Sequence, residues 1–535
     1  MTMPGMMQPV PLSITHIFHR AEQQFGEKRI FSAEHGVVRE ITVAQWAERV
    51  RRLATVLDQL GVAPDAAVAT FAWNTQRHLE LYYAVPCTGR VLHPLNIRVA
   101  PEHLRHILEL VQDEIVFVDR SLLSTLWPLA DDLPSVRHWV VMDDGGDAAV
   151  PDDPRVHDYE ALLKAAEPAR GPFEVADENQ AAGICFTSGT TGLPKGVVYS
   201  HRATVLHAVM AMAAGLIGIS ERDRVLPIVP MFHAAAWGLP YSAMFAGADL
   251  VLPGPDLDPS ALLRLMADLH VTVASAVPTI WAGMLPLVGE YELASLRAVF
   301  GGGSATPARL AGEWLERVGI PITHTWGMTE LSPTGAVGGL RSFHDDESPE
   351  QREAAFTAQG TAVPFVDLRI VDVETGELVA QDGTSVGELQ ARGPTVASGY
   401  FGDEAGSALT PDGWLSTGDV ASIDDRGYVV IRDRLKDLIK SGGEWIPSLE
   451  LETAILSDPG VAEVAVVGRA HPKWAERPVA FVVASGSGAG DAAALLDRLR
   501  PRVPKWWLPD EVFFVDTLPR TGTGKIAKPE LRARL

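Results

Sequence analysis

Cysteine is almost absent: Cys87 and Cys185 are the only thiols in 535 residues. Two thiols cannot build a disulfide framework or a cysteine-based metal site, and they suit a reducing cytosol. Positive charge is also in deficit. Lys and Arg number 45 against 68 Asp and Glu, a net charge of −23, so the surface as a whole repels nucleic acid and anionic membrane. Any anionic ligand must therefore be held by a local cluster of donors. The N-terminal MTMPGMMQPVPLSITHIFHR has no early basic residue and no sustained apolar core, which argues against a signal peptide. One uncharged run, Val225 to Ala248, is long enough to cross a bilayer. Pro227, Pro230, Pro240, Gly238 and a central His233 would break a lipid-exposed helix, so a buried strand, loop and helix lining a pocket is expected instead. No internal repeat is visible, and the length implies two to four packing units, each with its own core.

The richest stretch is FTSGTTGLPKG, Phe186 to Gly196, placed between the apolar run Ala181 to Cys185 and a helix-like segment opening at Ser200. Gly189, Gly192 and Gly196 let the backbone bend and present N–H groups; Thr187, Ser188, Thr190 and Thr191 add hydroxyls. With the ammonium of Lys195 these donors make a concave site for an anion rich in acceptor oxygens, such as a polyphosphate. It is not a Walker A loop, because Lys195 is followed by glycine.

Elsewhere, strand and helix patterns alternate. Ile14 to about Leu60 reads as amphipathic helix, with Trp46, Val50, Leu53, Ala54 and Leu57 on one face. Val68–Phe71 and Ile115–Val118 read as strands flanking a helix at Thr75–Tyr83, and 142–180 as a connecting region. Strands are expected at Val225–Val229, Asp249–Leu252, Val271–Ser275, Ala298–Phe300 and Ile320–Thr323. Proline-led helices are expected at Pro259–Leu269, Pro278–Leu287 and Pro307–Val318. Repeated βα units imply a mostly parallel sheet covered by helices. From 363 to 430 short β-rich runs suggest an antiparallel sheet or small barrel. From Lys436 onward, strands at Val461–Val467 and Val479–Val483 and a helix at Asp491–Leu499 suggest a small α+β domain. The expected fold is thus α/β, with domains at 1–435 and 436–535.

Further chemistry-bearing strings follow in order. VPMFHAAAWGLP offers His233 and Trp237, residues that in isolation are more often core than site. GGGSA, with Gly302, Gly303 and Ser304 at a strand end, permits close approach of a flat ring. In HTWGMTE, Trp326 can lie against a purine, Thr329 can donate to a phosphate, and Glu330 is a hard oxygen ligand suited to Mg²⁺. WLSTGD ends in Asp419, whose two oxygens suit two adjacent ribose hydroxyls. IRDRLKDLIKSGGEWIPSLELE and LPRTGTGKI place Arg434, Lys436, Lys440 and Lys525 among glycines and turns.

Taken in this order, from Phe186 to Ile526, the strings resemble the AMP-forming adenylating superfamily of acyl-CoA synthetases, peptide-synthetase adenylation domains and beetle luciferases. The resemblance implies that Thr187, Ser188, Gly189, Thr190, Thr191, Gly192, Lys195, Gly302, Gly303, Ser304, Thr325, Trp326, Thr329, Asp419, Arg434 and Lys525 bind ATP. It implies that Thr187 and Glu330 hold Mg²⁺, that Thr329, Glu330 and a mobile Lys525 are catalytic, and that His233, Trp237 and Gly327 border the acyl site. Lys436 falls at the family's hinge, and Lys440, Gly442, Gly443 and Trp445 fall in the segment that faces coenzyme A after rotation. Two departures stand out: most members have tyrosine at Trp326 and glycine at Asp433. Peptide-synthetase domains carry an amine-binding aspartate near His233 and none stands here, so an uncharged tail is expected.

The reading implied is an acyl-CoA synthetase using a carboxylic acid, ATP, Mg²⁺ and coenzyme A, cytoplasmic, with a homodimer in keeping with related enzymes. The resemblance is to medium- and long-chain fatty acyl ligases, with methylmercaptopropionate and aryl acids as alternatives. An acyl-AMP ligase serving a carrier protein would share the motifs, but no carrier domain with an attachment serine follows in the sequence. A luciferase-like oxygenase is not favoured by any residue, and a non-catalytic nucleotide sensor would be expected to lack Lys525 or Glu330.

Overall fold

A computed structural model describes residues 3, 5–187, 193–348, 352, 355, 356, 358–442, 444–486, 491–520 and 526–535. Among the described residues the chain forms four sheets. One has seven strands in the order Val156–Asp158, His138–Met142, Ile115–Asp119, Ala67–Phe71, Val91–Pro94, Ala181–Phe186 and Gly196–Ser200. Its pairings are parallel except the last, which is antiparallel. Strands Ala67–Phe71 and Ile115–Asp119 are buried at every position, which is why they read as unbroken apolar runs: parallel strands are covered on both faces.

The second sheet has nine strands: Thr361–Ala362, Thr334–Val337, Ile322–Gly327, Ala298–Gly302, Val273–Ala276, Arg224–Pro227, Asp249–Leu252, Arg29–Glu34 and Val37–Thr42. Its centre is parallel and its edges antiparallel. Helices Ile14–Gln24, Val43–Gln59, Gln76–Cys87, His201–Met212 and Leu239–Ala246 share one apolar core with strands of both sheets. Trp46 and Tyr83 meet edge to face there at 4.9 Å; truncating such a buried ring to alanine costs about 3–5 kcal/mol.

Two sequence expectations are corrected. The helical reading from Ile14 to Leu60 is broken by the hairpin Arg29–Glu34/Val37–Thr42, turned by His35 and Gly36 at φ 49° and 79°. Its second strand is exposed, so no buried face advertises it; the following helix starts with a capping box between Thr42 and Gln45. The connecting region holds strand Val156–Asp158 and helix Tyr159–Ala165, capped by Asp158. Strands Ala181–Phe186 and Gly196–Ser200 pair antiparallel on either side of the glycine-rich stretch, and Ser200 caps helix His201–Met212 where a helix was expected to open.

The β-rich stretch is a four-stranded antiparallel meander: Asp367–Val371, Gly387–Arg392, Leu415–Ile423 and Val429–Arg434. Beyond it a five-stranded sheet orders Glu444–Ile446, Ile439–Ser441, Ala475–Ala484 and Val461–His471, with Glu511–Phe514 parallel to Ala475–Ala484. Helices Ser448–Leu456 and Ala492–Leu499 complete its core. The uncharged run becomes strand Arg224–Pro227, a short turn Ala234–Trp237 and helix Leu239–Ala246. Among the described residues no helix is long and apolar enough to cross a membrane.

Candidate functional site

The carboxyl ends of parallel strands Ala298–Gly302 and Ile322–Gly327 open onto a cleft of about 1590 Å³, the position where open α/β sheets take ligands. Thr187, Lys195, His233, Trp237, Gly303 and Thr325 line it, as do Trp326, Gly327, Thr329, Glu330, Arg434 and Lys436. Strings separated by up to two hundred and fifty positions in the sequence thus share one cavity.

Thr187 and Lys195 close the base of the glycine-rich loop. The Thr187 amide donates to the Lys195 carbonyl at 2.9 Å, and the Lys195 amide donates to Thr187 Oγ1 at 3.2 Å. The Lys195 ammonium stands 4.6 Å from the centre of the Tyr400 ring, a cation–π placement that keeps its charge at the mouth of the loop. Tyr400 in turn donates its hydroxyl to Glu330 Oε1 at 2.9 Å. Burial and the Glu330 carboxylate push the Tyr400 phenol well up, so it stays a donor. Backbone contacts fix the same corner: Ala397 N–H donates to the Glu330 carbonyl at 2.7 Å, and Tyr199 Oη to the Thr329 carbonyl at 2.7 Å.

Asp419 lies just behind the lining, 2% exposed. Trp326 Nε1 donates to its Oδ2 and Arg434 Nε meets its Oδ1, each at 2.9 Å. This accounts for Trp326: an indole supplies an N–H to the carboxylate and keeps a flat face. Asp433 accepts the Ser448 amide at the start of helix Ser448–Leu456. A glycine there could not bind that helix end.

Gly302 is buried beneath the site rather than lining it; a Cβ would sit 2.5 Å from Thr325 Oγ1 and 2.9 Å from the Trp237 ring. Ser304 is exposed and stands outside the lining. Lys440, Gly442 and Trp445 are also away from it. Lys440 pairs with Glu374 of the meander at 3.3 Å and lies over Trp445 at 4.9 Å, while Gly442 packs against Trp474. The C-terminal wall of the cleft is instead Arg520 and the stretch Ile526 to Glu530. Ser188, Gly189, Thr190, Thr191, Gly192, Gly443 and Lys525 lie outside the described residues.

Lys436 lines the cleft with its pKa drawn down by burial, opposed by Asp437 and reinforced by Arg434, Arg532 and Lys528. Lys528, also in the wall, is held by Glu452 and Ser448 Oγ, each at 2.7 Å. Tyr400, Lys528, Arg98 and His103 line the cleft without having been read from sequence; only the glycine–aromatic turn SGYFGD around Tyr400 carried a signal. Among the described residues no three His, Cys, Asp or Glu side chains cluster as a self-sufficient metal site. One buried carboxylate, Glu330, facing a polyphosphate-sized cleft with the Thr187 hydroxyl fits Mg²⁺, which takes one or two carboxylates and completes its shell with phosphate and water.

Comparison with known proteins bears on the same regions. The family described as "AMP-binding enzyme" matches residues 18–401, and "AMP-binding enzyme C-terminal domain" matches 450–525. A 3-methylmercaptopropionyl-CoA ligase of Ruegeria lacuscaerulensis is 41% identical over 531 residues, 99% of this chain and 98% of its own. A long-chain-fatty-acid–CoA ligase of Thermus thermophilus is 42% identical over 534 residues, 99% and 96% of the two chains. The crystal structure of ATP-bound MatB from Rhodopseudomonas palustris aligns with a TM-score of 0.84 at 27% identity, covering 97% of this chain and 98% of its own. With the site's strings assembled in one cleft and the first match spanning well over half its length, the chain belongs to the AMP-binding enzyme family.

Proposed function

We infer that this chain is an AMP-forming acyl-CoA synthetase. A carboxylate oxygen attacks the α-phosphorus of ATP, pyrophosphate leaves, and the sulfur of coenzyme A then attacks the acyl-AMP carbonyl to release AMP. Two steps are needed because a carboxylate becomes a good electrophile only when its oxygen belongs to a leaving group. The observation that carries the reading is one cleft that joins Trp326 and Arg434, both anchored on Asp419 behind them, a Tyr400-anchored Glu330 and Lys195 to the corner of His233 and Trp237.

In this reading Asp419 and Arg434 hold the ribose, Trp326 lies on the purine, and Gly303, Thr325 and Thr329 border the nucleotide. Lys195 and the loop bearing Ser188 to Gly192 hold the phosphates. Mg²⁺ on Glu330, with Thr187 contributing, would neutralise phosphate charge. Lys525 donates to the carboxylate and α-phosphate as charge shifts between them; such a group is worth about 10²–10³ in rate, roughly 2.7–4 kcal/mol. The domains are 1–435 and 436–535, hinged at Lys436. The wall formed by Ile526 to Glu530, and Lys440 tied to Glu374, favour the adenylating arrangement. Rotation at Lys436 would bring Lys440, Gly442, Gly443 and Trp445 to the cleft for coenzyme A.

The acid has an uncharged tail lying against His233, Trp237 and Gly327. The sequence puts a medium or long fatty acid first and a short thioether acid second. A second, smaller space of about 30 Å³ lies behind the turn that carries Trp237. Cytoplasmic location rests on two buried free thiols, and a homodimer on the family resemblance alone.

Lys525→Ala tests the mechanism. Acyl-AMP formation is expected to fall at least a hundredfold, while conversion of supplied acyl-AMP and coenzyme A to thioester persists; equal loss of both would refute the division of labour. Product formation that ignores coenzyme A and needs a carrier protein would favour the acyl-AMP ligase.

A further inference from the structure

The turn between His233 and helix Leu239–Ala246 is left-handed. Ala234, Ala235, Ala236 and Trp237 have φ of 44°, 52°, 50° and 54°, and Gly238 follows at 70°. Left-handed backbone costs L-residues about 1–2 kcal/mol each, so this conformation is held by its surroundings. It is also a partition. Ala234 and Trp237 face the main cleft, whereas Ala235 and Gly238 face a second chamber of about 30 Å³. Pro333 borders both spaces.

His207, on helix His201–Met212, reaches into the chamber. Its Nε2 lies 3.1 Å from Thr334 Oγ1, a residue of the main cleft. Its Nδ1 lies against Gly238, where a Cβ would come within 2.3 Å. Nδ1 has no hydrogen-bond partner among the described residues, although the residue is only 4% exposed. The three phenols in the chamber are already committed to carbonyls: Tyr82 to Met231, Tyr199 to Thr329 at 2.7 Å and Tyr241 to Tyr82 at 3.3 Å. Burial draws the His207 pKa down to about 4, so the ring is neutral and carries one N–H and one lone pair. With Thr334 donating its hydroxyl to Nε2, the proton sits on Nδ1, which is then an N–H donor beside Gly238 at the edge of the chamber.

We propose that His207 is a specificity-determining residue of the ligase: its Nδ1 selects short acids whose tail carries a hydrogen-bonding heteroatom, such as an ether or thioether, over acids with a plain alkyl tail. This rests on the ligase reading of the adjoining cleft. An alkyl tail entering the chamber would shut a buried imidazole away from water with nothing to bond, the kind of penalty by which polar sites reject apolar isosteres. With the three phenols already bonded, the imidazole is the partner left for a heteroatom that enters the chamber.

Three acids of one shape isolate the effect: 3-methoxypropanoate, 3-(methylthio)propanoate and pentanoate, which differ only in O, S or CH₂ at one position. Acid-dependent pyrophosphate release is measured for wild type, His207→Phe and His207→Gln, with ATP binding measured on each variant. We expect wild type to favour at least one heteroatom acid over pentanoate by tenfold or more in kcat/KM. His207→Phe should bring that ratio within threefold of unity, chiefly through KM, and His207→Gln should keep part of it, with ATP affinity unchanged in both. Wild type that favours pentanoate, or a His207→Phe variant that loses all three acids in equal proportion, overturns the proposal. Wild type inert toward these acids and toward longer and aryl acids overturns the ligase reading itself, a different and recognisable failure.

Discussion

Removing one oxygen atom, Tyr400→Phe, should impair catalysis without disturbing the fold. The Tyr400 hydroxyl donates to Glu330 Oε1 at 2.9 Å, and the ring holds the Lys195 ammonium at 4.6 Å. Phenylalanine keeps the ring and deletes the donor. A hydrogen bond to an ionised group contributes about 1.5–3 kcal/mol, or 10- to 150-fold. Tyr400 is part-exposed, so water compensates somewhat and a loss of about tenfold is expected. It should appear as a raised Mg²⁺ requirement and slower acid-dependent ATP–pyrophosphate exchange, with KM for the acid little changed. Tyr400→Ala should lose about another 0.5–1 kcal/mol with the cation–π contact. If Tyr400→Phe exchanges pyrophosphate at the wild-type rate across a Mg²⁺ titration, the carboxylate does not need this anchor.

Other substitutions follow from the same distances. Gly302→Ala places a Cβ 2.5 Å from Thr325 Oγ1 and 2.8 Å from the Thr325 carbonyl; overpacking of about 1–3 kcal/mol should lower Tm and raise KM for ATP and acid together, and an unchanged Tm would contradict it. Trp326→Phe removes a donor from Asp419 and should raise KM for ATP about tenfold with kcat less affected, as nucleotide titration would reveal. Acid should unfold the protein early. His78, His201, His207 and His324 are buried, and burial lowers each pKa from 6.5 to about 4, so unfolding between those values takes up about four protons. Asp119, raised by burial to about 8 despite Arg77, releases about one in return. The net uptake makes stability fall as pH drops from 6.5 toward 4, by about 1.4 kcal/mol per pH unit for each proton of the difference; urea midpoints flat from pH 6.5 to 4.5 would contradict it.

What the sequence made legible follows physical rules. Val68–Phe71 and Ile115–Val118 were readable because strands buried on both faces are continuously apolar. Helices led by Pro259 and Pro278 were readable because proline suits a first turn. The hairpin from Arg29 to Thr42 was not, since an exposed edge strand beside a helix leaves no period-two signature. The Tyr400–Glu330 contact spans 70 positions and has no local trace. The left-handed turn at Ala234–Trp237 runs against the sequence, because alanines favour right-handed helix. That Lys440 meets Glu374 while Ile526 to Glu530 wall the cleft is a matter of domain arrangement, which local residue patterns do not encode.

The most direct test is isotope exchange. Purified protein with Mg²⁺, ATP and labelled pyrophosphate, offered acids from propanoate to palmitate with cinnamate and 3-(methylthio)propanoate included, should return label to ATP only when a suitable acid is present, and without coenzyme A. Exchange that is absent with every acid, or that proceeds equally without one, would contradict activation of a carboxylate as its adenylate.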